Sequence, residues 1–359
     1  MLARFGSRHH VVPFRGTGGL GDTEAMPIEA YAAHQPKSQL EPFRYDPGPL
    51  GPREVEVRVT HCGICHSDLA MIDNDWQISA YPLVPGHEVV GTVTAAGPEI
   101  THLKVGQRVG VGWQCGSCGE CEFCESGQPA LCAQQRATIV QHHGGWGSAV
   151  RTTGDFAIPI PDAIPSEFAG PLMCGGTTVF TPMMHYAVKP TARAAVVGIG
   201  GLGHMALQFL KAWGCDVTAI SSTHSKEAEA RKLGASDFLA TKDEGALAGA
   251  ANRFDFIIST VSADVDWNAY VNMLRPGGML CIVGVPASDL RIGAMGLILF
   301  ERQVAGGRTG SPQDIARMLD FAARHKVRPM IEKFPMADVN RAVAHLRSEK
   351  ARYRVVLEA

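Results

Sequence analysis

The stretch that most limits how this chain can fold is Ala194-Ala-Val-Val197, followed by Gly198-Ile-Gly200-Gly201-Leu202-Gly203 and then His204 to Trp213. Four apolar residues read as a buried strand and the last ten as a helix. Glycines between a strand and a helix allow a tight turn, and they let a pyrophosphate approach the backbone at the helix N-terminus. Alone the glycine pattern is weak; its setting gives it weight. A second strand, Asp216 to Ile220, follows at the expected interval. Strand Phe254 to Thr260, helix Asp264 to Leu274 and strand Gly278 to Val285 continue the alternation. This predicts a doubly wound parallel sheet over about residues 178 to 309.

A sheet of this kind selects its dinucleotide about 20 residues past the glycines, where a carboxylate would hold a ribose 2′-hydroxyl. Here that position holds Ser221-Ser222-Thr223-His224-Ser225-Lys226 and no acid. Hydroxyls and a lysine suit a dianionic 2′-phosphate, so NADP(H) is expected, with Ser221, Ser222, Thr223 and Lys226 around it. Gly198, Gly200, Gly201, Leu202 and Gly203 would line the pyrophosphate. The same hydroxyls also read as the cap of a helix over Lys226 to Leu233, and both roles are compatible.

The first half has another character. Glu54 to Thr60 alternates apolar and charged residues, the pattern of a half-buried strand, and delivers the chain to Cys65. Short runs at Val89 to Thr94 and Arg108 to Gly112 predict a loop-rich β domain to about residue 165. Within it, Cys118, Cys121, Cys124 and Cys132 follow at steps of three, three and eight residues. Four thiolates on one loop make a closed tetrahedral zinc site, structural rather than chemical. Cys115 is an alternative ligand, less favoured because the eight-residue last step fits the later four.

A second donor set is spread more widely. Cys65-His66-Ser67-Asp68 and Gly86-His87-Glu88 supply a thiol, imidazoles and carboxylates with a hydroxyl beside the thiol. These are ligand types for a first-row metal and read as two thirds of a catalytic zinc site.

Composition narrows the partners. The net charge of −2 argues against nucleic acid or an anionic membrane surface. No apolar run is long enough to span a bilayer. Ten cysteines raise the question of disulfides, but no secretory signal is seen, so metal binding and a cytoplasmic location are expected. Residues 1–25, rich in Gly, Arg and His, are expected to be a disordered extension; a mitochondrial presequence is the alternative.

Taken with Gly-Pro-Leu-Met-Cys-Gly-Gly-Thr-Thr-Val-Phe (170–180) and Lys-Ala-Arg-Tyr-Arg-Val-Val (350–356), these motifs resemble the zinc-dependent medium-chain alcohol dehydrogenases, in their cinnamyl-alcohol-dehydrogenase-like branch. The likeness covers residues 26 to 359. It implies an α/β chain: a GroES-like β catalytic domain (26–177), a Rossmann doubly wound parallel-sheet domain (178–309) and a C-terminal return to the catalytic domain (310–359). It also implies the missing ligand. Cys65, His87 and Cys174 would hold the catalytic zinc, with Glu88 as an intermittent ligand and Asp68 behind them. Ser67 would pass a proton to the substrate oxygen, Thr178 would touch the nicotinamide and His66 would lie near the pyrophosphate.

Many such enzymes carry a relay His five residues after the ligand Cys; here it is Ala70, so His66, Asp73, Asp75 or water would continue the relay. Ile72, Trp76 and Trp113 are candidates for the substrate pocket or for ordinary packing, and would favour aromatic or aliphatic aldehydes. Gly293 to Phe300 pairs across a homodimer or forms a core strand and loop. The expected activity is zinc-dependent NADPH reduction of an aldehyde, or oxidation of a primary alcohol, with two zincs per chain. A zinc-independent quinone or enoyl reductase and a non-enzymatic zinc- and nucleotide-binding protein are the rivals.

Overall fold

The computed structural model describes residues 27–286 and 288–359; the extension expected at residues 1–25 lies outside the described residues. The strand Glu54–Ile64 is the axis of the β part. Val55, Val57 and Val59 point into the core while Arg58 faces solvent, as the alternation requires. It pairs antiparallel with Glu88–Ala96 on one side and with the C-terminal strand Arg354–Glu358 on the other. Arg354–Glu358 in turn pairs parallel with Ile331–Pro335. The last residues of the chain are therefore built into the sheet whose strands lead to Cys65 and start at Glu88.

The second sheet has six strands, all parallel. Their order is Asp237–Ala240, Asp216–Ser221, Arg193–Val197, Phe254–Ser259, Leu274–Ile282, Gln303–Gly306. This is the doubly wound order in which the chain reverses direction beside the glycine turn, the usual place for a dinucleotide. A Cβ on Gly203 would lie 1.8 Å from the Gly198 carbonyl oxygen, so the turn closes only with glycine there. Among the described residues, a Cβ on Gly200 would meet nothing within 4 Å, which leaves that side of the turn open.

Two elements depart from expectation. The helix expected over Asp264 to Leu274 spans only Trp267–Asn272, begun by Asp266, whose carboxylate accepts from the Asn268 and Ala269 amides. The run Gly293 to Phe300 is neither strand nor core: it forms a short helix, Ala294–Ile298, with Met295, Ile298 and Leu299 exposed.

The helix Thr177–His185 fastens the two sheets together. Phe180 packs on Phe209 of the helix Gly203–Trp213 and on Phe321 of the helix Pro312–His325, each at 5.2 Å between ring centroids. Val90, Ile158 and Met173 of the β part share one core cluster with these residues. Each fully buried large side chain contributes about 1.5–3 kcal/mol to holding the arrangement.

Candidate active site

Cys65 begins the helix His66–Asp73, and its backbone N–H donates to Asp68 Oδ2 at 2.9 Å. The other carboxylate oxygen, Oδ1, accepts from the Gly86 amide and from His87 Nδ1, both at 2.9 Å. Asp68 is fully buried and thus binds the Cys65 turn to the Gly86-His87 turn. With its Nδ1 proton committed to Asp68, the His87 ring presents Nε2 as a lone-pair donor, 3.3 Å from Cys174 Sγ. Cys174 itself lies on a π-helical turn, Leu172–Gly176, a local widening common at functional sites. Thr178 donates to the Cys174 carbonyl at 2.8 Å and so steadies that turn.

Donor atoms of Cys65, His87, Glu88 and Cys174 lie within 4.8 Å of one another, and all four residues are buried. Glu88 sits between two attractions. Its Oε1 pairs with the buried Arg354, while its Oε2 has no hydrogen-bond partner among the described residues. Burial pushes the Glu88 carboxyl up to about 7 although Arg354 pulls it down. Hydrogen bonding from Cys174, then from His87, and the charge of Arg354 hold the Cys65 thiol well below its ordinary range. A buried oxygen that lacks a partner among the described residues, beside two cysteine sulfurs and an imidazole nitrogen, is a poor arrangement for an empty protein interior. It is a good one for a divalent cation. Tetrahedral zinc would set sulfur and nitrogen donors about 3.6 Å apart, close to the His87–Cys174 separation. A Cβ on Gly63 would strike Glu88 Oε2 at 2.0 Å, so the strand leading to Cys65 leaves room for that carboxylate.

The second cluster is built differently. Cys118, Cys121, Cys124 and Cys132 bring their sulfurs together, with separations of 3.5 Å (Cys132–Cys118), 3.6 Å (Cys121–Cys124) and 3.8 Å (Cys118–Cys124). Four thiolates around zinc are about 3.8 Å apart at ideal geometry. Cys115 lies outside the cluster; it is buried, and burial pushes its thiol up to about 11.

Around the first cluster, Ser67 Oγ lies 3.8 Å from Cys65 Sγ. Trp113 stands edge-on to the His87 ring at 5.1 Å and to Trp76 at 5.9 Å, so these two indoles adjoin the site. Ile72 instead packs in the core of the β part, 2% exposed. His66 is exposed. Asp73 is gripped by Arg347 through two hydrogen bonds of 2.6 and 2.8 Å, so it is not free to continue a relay. Along the nucleotide edge, Ser221 ends its strand, Ser222 and Thr223 are exposed, and Lys226 Nζ donates to the Ile199 carbonyl in the glycine turn at 2.6 Å. Sequence reasoning missed Arg354. The available signal was a charged residue inside the apolar run Tyr353 to Leu357.

The match to known proteins agrees with this layout. Residues 51–162 match the profile of the alcohol dehydrogenase GroES-like domain, and residues 201–324 that of the zinc-binding dehydrogenases. The aldehyde reductase AdhA of Synechocystis sp. is 51% identical over 330 residues, covering 92% of this chain and 98% of that protein. A cinnamyl alcohol dehydrogenase of Sorghum bicolor superposes with a TM-score of 0.89 at 39% identity, over 93% of this chain and 98% of that one. A Helicobacter pylori structure described as CAD complexed with NADP(H) gives a TM-score of 0.85 at 27% identity, over 92% and 98%. The chain belongs to the zinc-dependent medium-chain alcohol dehydrogenase family, in its cinnamyl-alcohol-dehydrogenase-like branch, and is an alcohol–aldehyde oxidoreductase. Membership removes the non-enzymatic alternative, and the branch argues against a quinone or enoyl reductase that works without zinc.

Proposed function

We propose that this chain reduces aldehydes with NADPH, and oxidises primary alcohols in reverse, at a zinc held by Cys65, His87 and Cys174. Glu88 is its intermittent ligand, and Cys118, Cys121, Cys124 and Cys132 hold a structural zinc. The catalytic part is residues 26–177 with the return 310–359; the cofactor part is 178–309. The observation that carries the reading is four buried donors within 4.8 Å of one another while Glu88 Oε2 lacks a partner among the described residues.

When bound, zinc supplies Lewis acidity toward the substrate oxygen and the nicotinamide supplies the hydride. The chain's own residues do the rest. Asp68 fixes the tautomer and tilt of His87. Ser67 Oγ, beside Cys65, holds the proton that passes to or from the substrate oxygen. Trp76 and Trp113 offer an aromatic wall that excludes water and suits aromatic or aliphatic aldehydes. Ile72 backs that region from the core. With the dinucleotide bound, Thr178 would touch the nicotinamide, His66 would lie near the pyrophosphate, and Gly198, Gly200, Gly201, Leu202 and Gly203 would cradle it. Ser221, Ser222, Thr223 and Lys226 bind the 2′-phosphate; the NADP(H) complex of the Helicobacter pylori relative supports that cofactor. The active form is a cytoplasmic homodimer, joined through the exposed apolar face of Met295, Ile298 and Leu299.

A steady-state screen of benzaldehyde-like, cinnamyl and aliphatic aldehydes with both nicotinamides tests the reading. NADPH is expected to be preferred, and Ser222→Asp to move the ratio toward NADH about tenfold, the effect of roughly 1.4 kcal/mol. An unchanged ratio refutes the cofactor assignment.

A further inference from the structure

We propose that Arg352, from the C-terminal return, is a second cation for the 2′-phosphate of NADP(H), partnering Lys226 across the two sheets; this rests on the NADP(H) reading above. The segment Arg352-Tyr353-Arg354 lies against the glycine turn. A Cβ on Gly201 would sit 3.0 Å from Arg354 Nη1 and 3.7 Å from the Tyr353 carbonyl oxygen. The Tyr353 ring stacks on His204, the second residue of the helix Gly203–Trp213, at 5.0 Å. Its hydroxyl bonds Glu229, on the helix Glu227–Lys232 that follows the second parallel strand. Tyr353 is thus pinned between the pyrophosphate turn and the element that begins where the adenosine ribose lies in this fold.

Two cations share that ring. Lys226 Nζ is 5.4 Å from its centroid and the Arg352 guanidinium carbon 5.3 Å. Lys226 also reaches the Ile199 carbonyl, so its ammonium faces the glycine turn. Among the described residues, neither side chain closes an ion pair. Glu229, whose carboxylate accepts from the Tyr353 hydroxyl, and then Glu349 both attract Lys226, and neither closes an ion pair with it. Burial, then the charge of Arg352, holds the Lys226 ammonium below its ordinary range.

Two like charges against one ring, with no carboxylate paired to either, repel each other in a partly desolvated place. A dianion relieves that repulsion, and a guanidinium offers it two parallel N–H donors. The neutral 2′-hydroxyl of NAD(H) does neither, which makes Arg352 a specificity residue. The next residues enter the strand Arg354–Glu358, paired to Glu54–Ile64, so phosphate binding also draws on the sheet that carries Cys65.

The test compares Arg352→Gln, Arg352→Lys and the wild-type enzyme in steady-state kinetics with NADPH and with NADH. Competitive inhibition by 2′-AMP and by 5′-AMP is measured in the same enzymes. Arg352→Gln should raise KM for NADPH about tenfold and weaken 2′-AMP to the same degree. KM for NADH, inhibition by 5′-AMP and both kcat values should stay within about twofold, and Arg352→Lys should recover part of the loss. Equal changes with both cofactors, or none, overturn the proposal. A wild-type enzyme that prefers NADH brings down the NADP(H) reading and this one with it. A wild-type preference for NADPH that survives undiminished in Arg352→Gln brings down the Arg352 assignment alone.

Discussion

Among the described residues the chain contains two four-donor clusters of opposite construction. The cysteines at 118, 121, 124 and 132 come from a single loop, and three of them are partly exposed. Cys65, His87, Glu88 and Cys174 come from different elements and are all buried. The loop cluster needs no support beyond its own turns. The buried cluster is surrounded by charge: Asp68 behind His87, and Arg354 on Glu88. A closed shell of four thiolates consumes every position on a zinc ion and stabilises local structure. A set of two thiols and an imidazole with a carboxylate drawn off by an arginine leaves one position for substrate. On the proposed reading, location and supporting charges, more than the number of donors, separate the chemical site from the structural one.

That contrast can be broken at three points. The largest effect is expected from Cys65→Ser, which removes a donor from the buried set. kcat/KM with an aldehyde should fall by about a thousandfold or more, with far-ultraviolet circular dichroism unchanged; turnover near the wild-type level would remove zinc from the mechanism. Asp68→Asn keeps the shape but weakens the hold on His87. A loss of roughly 10- to 100-fold in activity or in zinc affinity is expected, and a change under twofold in both would show that His87 needs no such partner. Cys121→Ser touches the exposed loop. Activity per folded chain should stay within about threefold while the melting temperature drops by roughly 5 °C. A collapse of kcat with unchanged melting would mean that the loop takes part in the chemistry.

How much of this was legible beforehand followed the same division. The four-cysteine loop and the glycine turn could be read because each is local: their spacing is their geometry. The alternation from Glu54 to Thr60 gave the central strand for the same reason. Cys174 could not be found by spacing. Its π-helical turn has no sequence marker, and its partners are far along the chain, so only the family resemblance pointed to it. Arg354 escaped notice because its value depends on a pairing between Arg354–Glu358 and Glu54–Ile64 that no local pattern announces. Composition left two readings of Gly293 to Phe300, a dimer contact or a core strand and loop; the exposed helix Ala294–Ile298 rules out the second, since apolar residues favour an interior only when something covers them.

Native mass spectrometry of the wild-type enzyme, Cys65→Ser and Cys121→Ser, run beside an NADPH turnover assay, tests the division most directly. Two zinc ions are expected in the wild-type chain and one in each variant, with turnover lost when Cys65 is replaced and kept when Cys121 is. Two zinc ions retained in Cys65→Ser, or full turnover in that variant, would contradict the account.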